Sequence, residues 1–398
     1  MRLQGGILKI LHTSDWHLGK KLKNVSRLAE QKLVLNELVE YANENNVDVV
    51  IISGDVFDTY FPSSNAEELY FNTLKRLSNG ERLVICISGN HDDNNRITAG
   101  SSICFDSGIV FSDVLYDKTL NLKRVSLIES GERYFVVKSL DGEVVFFNAL
   151  SYPTEYRLQT VVDETKSYED CVKGWISDVS SKNVNNYPEV FIGHLFLLGG
   201  VNDGVEKQIE LGGARILDKS VLPKNAVYSA LGHLHKRQCV DKTQNIIYSG
   251  SILQYNYGEY EQKSFEVFEI LNGKSCNLQT INFKNGNKLK VVDVYGFENC
   301  NQILSTYNNC YVKLVLHSNE PLTTMQTVEL VKNFPFVTEI ELVNESEDVF
   351  ENNFDRRKLN EKDLFLEYYK KLFSGEPKQE LVELYLKMLN GDFEDEAD

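Results

Sequence analysis

The sequence predicts a layered α/β fold, and three observations predict it. Over the first hundred residues, short apolar strand-like runs alternate with longer amphipathic stretches, the signature of βαβ units. Further apolar runs, more closely spaced, continue to about residue 282. Run after run ends in glycine or serine followed by a polar or ionisable residue, as in TSDWH, SGD, SGNHD, IGH and LGHLH.

In order, Ile7 to Thr13 reads as a strand, Ser26 to Asn45 as a helix, Val47 to Ser53 as a strand, Asn65 to Leu77 as a helix and Leu83 to Ser88 as a strand. Glu143 to Leu150, Glu189 to Ile192, Ala226 to Leu231 and Asn245 to Tyr248 read as later strands. Together they make a domain over residues 1–282. A small α+β unit is expected over 288–343, where alternation in Tyr311 to Leu316 and Val337 to Leu342 flanks a helix from Thr323 to Asn333. Residues 344–362 are polar and charged enough to be a linker. A helical pair follows over 363–390, broken at Ser374-Gly375, before the acidic end FEDEAD.

With 42% hydrophobic and 25% charged residues, the chain has the balance of a water-soluble globular protein. No run approaches the roughly 18 apolar residues of a membrane span, and MRLQGGILKILHTSDW turns polar too early for the core of a secretory leader. Cytoplasm is therefore the expected location. The seven cysteines are scattered without a CxxC pair, which argues against a disulfide framework and a zinc ribbon alike. The net charge of −16 opposes non-specific attraction to nucleic acid. Binding a polyanion would need local positive charge, bound cations or a partner.

The chemistry lies at the strand ends, where Asp15 and His17, Asp55, Asn90 and His91, His194, and His233 and His235 all fall. Five of the seven histidines sit inside these short motifs. Glycine suits a sharp turn with positive φ, and in open α/β sheets ligands bind at the carboxyl ends of strands. Residues far apart in sequence thus converge on one edge. Each motif alone is an ordinary turn; the whole set in this order reads as a centre for two divalent ions bridged by a carboxylate. Imidazole, carboxylate and amide donors without thiolate suit manganese, iron or zinc. Two such ions, roughly 3.5 to 4 Å apart, clamp a phosphoryl group and lower the pKa of a bound water towards about 7. His12 and His317, in apolar runs, read as packing residues, with His12 close enough to Asp15 to support the centre.

Asp15-Trp16-His17, Gly54-Asp55, Gly89-Asn90-His91-Asp92, Gly193-His194 and Gly232-His233-Leu234-His235 resemble the motif series of the calcineurin-like metallophosphoesterases. The longer strings HTSDWHLGK, SGDVFDTYFPS, ALGHLHKRQ and YSGSILQYNYGE are similar to the SbcD nucleases within that family, bacterial relatives of the eukaryotic meiotic-recombination nuclease. The resemblance implies a layered metallophosphoesterase sandwich with a small capping domain. It places Asp15, His17, Asp55 and His235 on one ion and Asp55, Asn90, His194 and His233 on the other. It gives His91 the scissile phosphate and the leaving oxygen, work worth about 10² to 10⁴ in rate, and has Asp92 orient His91 by a hydrogen bond. Some members carry a phosphate-contacting histidine where this chain has Asp58. The implied activity is manganese-dependent 3′ to 5′ exonuclease on duplex ends and endonuclease on single strands or hairpins, in DNA end processing, repair and recombination. The implied partners are DNA and an SbcC-type ATPase, in a heterotetramer built on a homodimer.

Alternative readings are a small-molecule or cyclic-nucleotide phosphodiesterase using the same ions, and a non-catalytic DNA-end scaffold. Lys20, Lys21, Lys23, Arg27, Lys236 and Arg237 flank the first and last motifs and either line a groove for DNA or form solvated surface. Leu69, Tyr70, Thr73, Leu74 and Leu77 form a helical stripe that faces either a symmetry mate or the domain's own sheet. Leu364, Phe365, Tyr368, Tyr369, Leu372 and Phe373, then Leu381, Leu384, Tyr385, Met388 and Leu389, recur at helical spacing. Such short helices are marginal alone, so they are expected to bind the ATPase or to dock on the preceding domain.

Overall fold

Both faces of the early strands are apolar, and the fold covers both. In the computed structural model, which describes residues 6–154, 167–200, 216–307, 309–344 and scattered positions between 362 and 385, two sheets pack face to face. One has six strands in the order Lys274–Asn282, Ser264–Leu271, Ile7–Thr13, Val49–Ser53, Leu83–Ile87 and Ile109–Phe111. The other has eight and includes the parallel run Val144–Leu150, Glu189–His194, Ala226–Gly232 and Ile246–Tyr248. Alternate residues of the central strands go to opposite layers. Val49, Ile51, Leu83 and Ile85 join Phe147, Val190, Ile192 and Ala230 between the sheets, whereas Val50, Ile52, Val84 and Cys86 meet helices on the outside. Strands buried on both sides read as unbroken apolar runs for this reason.

The outer helices are Leu28–Glu44 and Ser64–Ser78. The first buries Gln31, Val34, Leu35, Leu38, Val39 and Ala42, one face at helical spacing. The second starts where the Ser63 hydroxyl accepts from Ala66 N and stops at Asn79, whose φ of 51° ends the helix in the left-handed region. Its stripe of Tyr70, Thr73, Leu74 and Leu77 is buried in the chain's own core, with Leu69 packed against it. That corrects the expectation of a symmetry mate on this stripe: the apolar surface is already used against the sheet. Helix Tyr168–Ser181 covers the other sheet, through Cys171, Val172 and Ile176 packed near Phe191, Leu231 and Tyr248. The layers run helix, sheet, sheet, helix.

A parallel three-stranded sheet follows, Lys288–Tyr295, Cys310–His317 and Val337–Val343. Its core holds Val292, Val294, Val312, Leu314, Leu316 and Leu330, the last from helix Thr324–Asn333. It touches the larger unit where Arg27 lies over the Tyr311 ring at 5.0 Å and Tyr311 donates to Glu30 at 2.8 Å. His317 does not serve as packing: it stacks on Tyr295 and pairs with Asp293 at 2.8 Å, because the strand alternates and this position faces outwards. The linker and most of the tail lie outside the described residues. Of the tail stripes, Phe365 and Tyr385 stack at 4.1 Å, while Leu364, Tyr368, Leu372, Phe373, Leu384, Met388 and Leu389 lie outside. No helix among the described residues is long and apolar enough to cross a membrane.

Candidate metal centre

Every motif is delivered by a strand end. Asp15 and His17 follow Ile7–Thr13, Asp55 follows Val49–Ser53, and Asn90 and His91 follow Leu83–Ile87. His194 closes Glu189–His194, and His233 and His235 follow Ala226–Gly232. The carboxyl ends of parallel strands in two facing sheets thus meet at one edge. Positive φ falls on the functional residues themselves: Asp15 at 52°, His17 at 44°, Asp55 at 50° and His233 at 108°. Such conformations cost side-chain-bearing residues on the order of 1–3 kcal/mol each and persist only where the surroundings enforce them. Here they are tied to one another, Asp15 N to Gly54 O at 3.0 Å, His17 N to Asp55 O at 3.0 Å and His233 N to the Asp15 carboxylate at 3.0 Å. Among the motif glycines, Gly54 takes the expected positive φ, 86°. Gly89 and Gly232 are instead required by close approach: a β-carbon at Gly89 would collide with the Asp55 carboxylate, and one at Gly232 with Ser53 O.

The polar atoms are arranged so that acceptors face acceptors. His194 Nδ1 donates to Ser53 O at 2.8 Å, which leaves Nε2 of the neutral ring bare, 3.0 Å from Asn90 Oδ1 and 3.3 Å from Asp55 Oδ2. His233 Nδ1 reaches the same Asn90 oxygen at 3.1 Å. On the other side of Asp55, His17 Nε2 lies 3.6 Å from Oδ2 and 3.0 Å from His235 Nε2. Asp55 therefore sits between two groups, His17 with His235 and His194 with His233 and Asn90. Asp15 is near both, close to His17 and His235 and to Asp55 and His194. Tyr152 lies parallel to the His233 ring at 6.4 Å and Phe196 is tilted against it at 5.8 Å.

Buried lone pairs that converge without donors call for a cation. In the metal-free chain a proton supplies it: burial alone would depress His194, but the Asp55 charge and hydrogen bond raise it to about 9. Burial would raise Asp55, yet His194, His91 and His17 hold it well below the usual carboxylate range. Burial and the charge of His194 push His233 down to about 3, so that ring is neutral. Two divalent ions satisfy the same lone pairs with an imidazole, carboxylate and amide donor set, and the residues present fit them.

Asp92 does not touch His91, contrary to expectation. Its Oδ2 accepts from Val56 N at 3.1 Å and Gly89 N at 2.8 Å, and its Oδ1 from Phe57 N at 2.8 Å. It ties the turn after Asp55 to the turn before Asn90. His91 is oriented by Asp58 instead, Nδ1 donating to the Asp58 carbonyl at 2.9 Å, while His91 N donates to Asp55 Oδ1 at 2.9 Å. The Asp58 carboxylate pairs with Lys20 at 2.6 Å and lies 3.7 Å from His17 Nδ1. His12 stands apart from the centre, with its ring on the Tyr228 hydroxyl at 3.1 Å.

The basic residues flanking the motifs are largely spent within the chain. Lys20 pairs with Asp58, Lys23 with Glu339, Arg27 with Glu30, Lys236 with Glu261 and Arg237 with Glu266. Of the six, only Lys21 has no ion pair among the described residues. Sequence reasoning missed residues that hold the centre from behind. Gln31 donates to His17 O at 2.7 Å and to the Tyr255 hydroxyl at 3.0 Å, and the Tyr255 hydroxyl donates to Trp16 O. Tyr60 donates to Asn90 O at 3.0 Å. The string YSGSILQYNYGE, which contains Tyr255, was the available signal.

A family model described as calcineurin-like phosphoesterase matches residues 8–237, which hold every motif. The chain is 28% identical over 409 residues to the SbcD subunit of the nuclease SbcCD from Bacillus subtilis (strain 168), covering 98% of this chain and all of that one. It is 30% identical over 289 residues to the protein of the same name in Staphylococcus epidermidis, covering 72% of each. The chain belongs to the SbcD family of calcineurin-like phosphoesterases. As a member of that family it is a metal-dependent phosphoester hydrolase, and the convergent lone pairs are its metal centre. The Staphylococcus saprophyticus protein of that name is 28% identical over 271 residues, 67% of each chain.

Proposed function

We propose that the chain is a manganese-dependent DNA nuclease, cutting duplex ends as a 3′ to 5′ exonuclease and single strands or hairpins as an endonuclease, with an SbcC-type ATPase as partner. The observation that carries the reading is the convergence of Asp15, His17, Asp55, Asn90, His194, His233 and His235 on one strand edge with His91 beside it. Asp55, between the two groups of donors, is the bridge; Asp15, His17 and His235 complete one ion's set, and Asn90, His194 and His233 the other's. The bound ions supply Lewis acidity towards the phosphoryl group and an activated water. His91 gives its Nδ1 proton to the Asp58 carbonyl, so Nε2 is the nitrogen available to contact a phosphate oxygen or pass a proton to the leaving oxygen. Donors of mixed imidazole, carboxylate and amide type support manganese over magnesium.

The names of the relatives support DNA as substrate and an ATPase as partner. So does the charge balance: with the flanking cations paired internally and a net charge of −16, firm hold on DNA falls to the ions and the partner. A homodimer would use a face other than the buried stripe from Tyr70 to Leu77. Manganese titration by calorimetry, run beside cleavage of a labelled duplex, tests the roles. Asp55→Asn weakens binding of both ions, whereas His91→Ala keeps metal and loses cleavage. Equal loss of metal in both variants would overturn the assignment, and hydrolysis of nucleotide esters but not of oligonucleotides would move the substrate to small molecules.

A further inference from the structure

One face of the His235 ring's environment is unlike the rest of the centre. His235 Nε2 faces His17 Nε2 at 3.0 Å, and on the far side its Nδ1 lies 3.2 Å from Glu259 Oε1. Glu259 is fully buried. The same oxygen accepts from Tyr255 N at 3.2 Å, and Lys263, itself 7% exposed, meets the other oxygen at 2.5 Å. The Lys263 ammonium also donates to His235 O at 2.9 Å, beside Ser251 N at 3.0 Å. Ring and backbone of His235 are thus gripped by one buried ion pair. A buried pair of this kind adds little to stability over apolar residues of like volume, so its position calls for another account.

We propose that Glu259 is the positioning residue for His235, with Lys263 as its counterion: the carboxylate accepts the Nδ1 proton and so presents Nε2 as the metal-binding nitrogen. The imidazole has two tautomers, and a neighbouring carboxylate selects one while fixing the ring's direction. Lys263 keeps Glu259 an acceptor and ties it to the backbone of the histidine it orients. The Tyr255 ring, packed edge-on against both His17 at 5.6 Å and His235 at 6.0 Å, carries the same short segment to both histidines. The inference rests on His235 being a metal ligand.

The test uses the full chain in two measurements. Long-range proton–nitrogen NMR on metal-free protein labelled at histidine reads the His235 tautomer directly. Calorimetric titration with manganese reads both sites in wild type, in Glu259→Gln, and in Glu259→Gln/Lys263→Gln, which avoids stranding the lysine charge. The expected result is an Nδ1-protonated His235 in wild type and a loss of about 10- to 100-fold in affinity at one of the two sites in both variants. The other site and the secondary structure stay unchanged. A merely structural role would lower the unfolding midpoint without moving the tautomer or the affinity. An Nε2-protonated His235 in wild type, or a folded double variant with wild-type affinity, overturns the proposal. A wild type that binds no manganese overturns the metal reading instead, and the tautomer still decides on Glu259.

Discussion

Asp92→Asn separates an anchor of the loops from a partner of His91. The carboxylate accepts three backbone N–H groups, two on Oδ2 and one on Oδ1. An asparagine keeps one acceptor oxygen, which at best retains Val56 N and Gly89 N and turns an amide NH₂ towards Phe57 N. One buried N–H is then unpaired, at about 1–3 kcal/mol, and the two surviving bonds lose their charge assistance, at roughly 0.5–1 kcal/mol each. The variant is expected to be about 2–4 kcal/mol less stable. With a urea slope on the order of 3 kcal/mol per molar, its midpoint falls by about 1 M, read by far-ultraviolet circular dichroism. Manganese affinity falls as well, because Asp92 joins the turns that carry Asp55 and Asn90, and cleavage recovers when manganese is raised. Full stability and full metal binding with cleavage abolished would refute this reasoning and return Asp92 to a role through His91.

Two further outcomes follow from other parts of the molecule. Burial lowers His12 to about 3 from the ordinary value of 6.5, so the unfolded chain takes up the proton first. This contribution is whole above about pH 6.5 and is lost towards pH 3 at up to about 1.4 kcal/mol per unit. His12→Asn should flatten the acid limb of a stability profile by that amount, and an unchanged limb would place the ring outside the folded core. Truncation after Asn353 should leave a folded manganese enzyme that no longer co-purifies with the ATPase and loses ATP-stimulated duplex cleavage; retention of the ATPase would put the main contact elsewhere.

The central strands were legible because each is buried on both faces and reads as an apolar run: Ile7–Thr13 lies where the pattern puts it, and Leu83–Ile87 within a residue. Lys274–Asn282 was not, since an edge strand that is largely exposed carries no apolar signature. Helix Ser64–Ser78 was legible as a helix, yet its pattern did not say what its apolar stripe covers, because periodicity reports that a face is buried and not against what.

The same division runs through the site. The sequence by itself determined which side chains carry the chemistry, since aspartate, asparagine and histidine at strand ends are scarce enough to stand out. Only the tertiary structure decided what holds them. Asp92 grips backbone and not His91, Asp58 turns His91 with its carbonyl, and Glu259 reaches His235 from 24 residues away. Hydrogen bonds act over about 3 Å in space. Which donor comes within that distance of which acceptor is fixed by how two facing sheets bring their strand ends together, and no local pattern of residues encodes it.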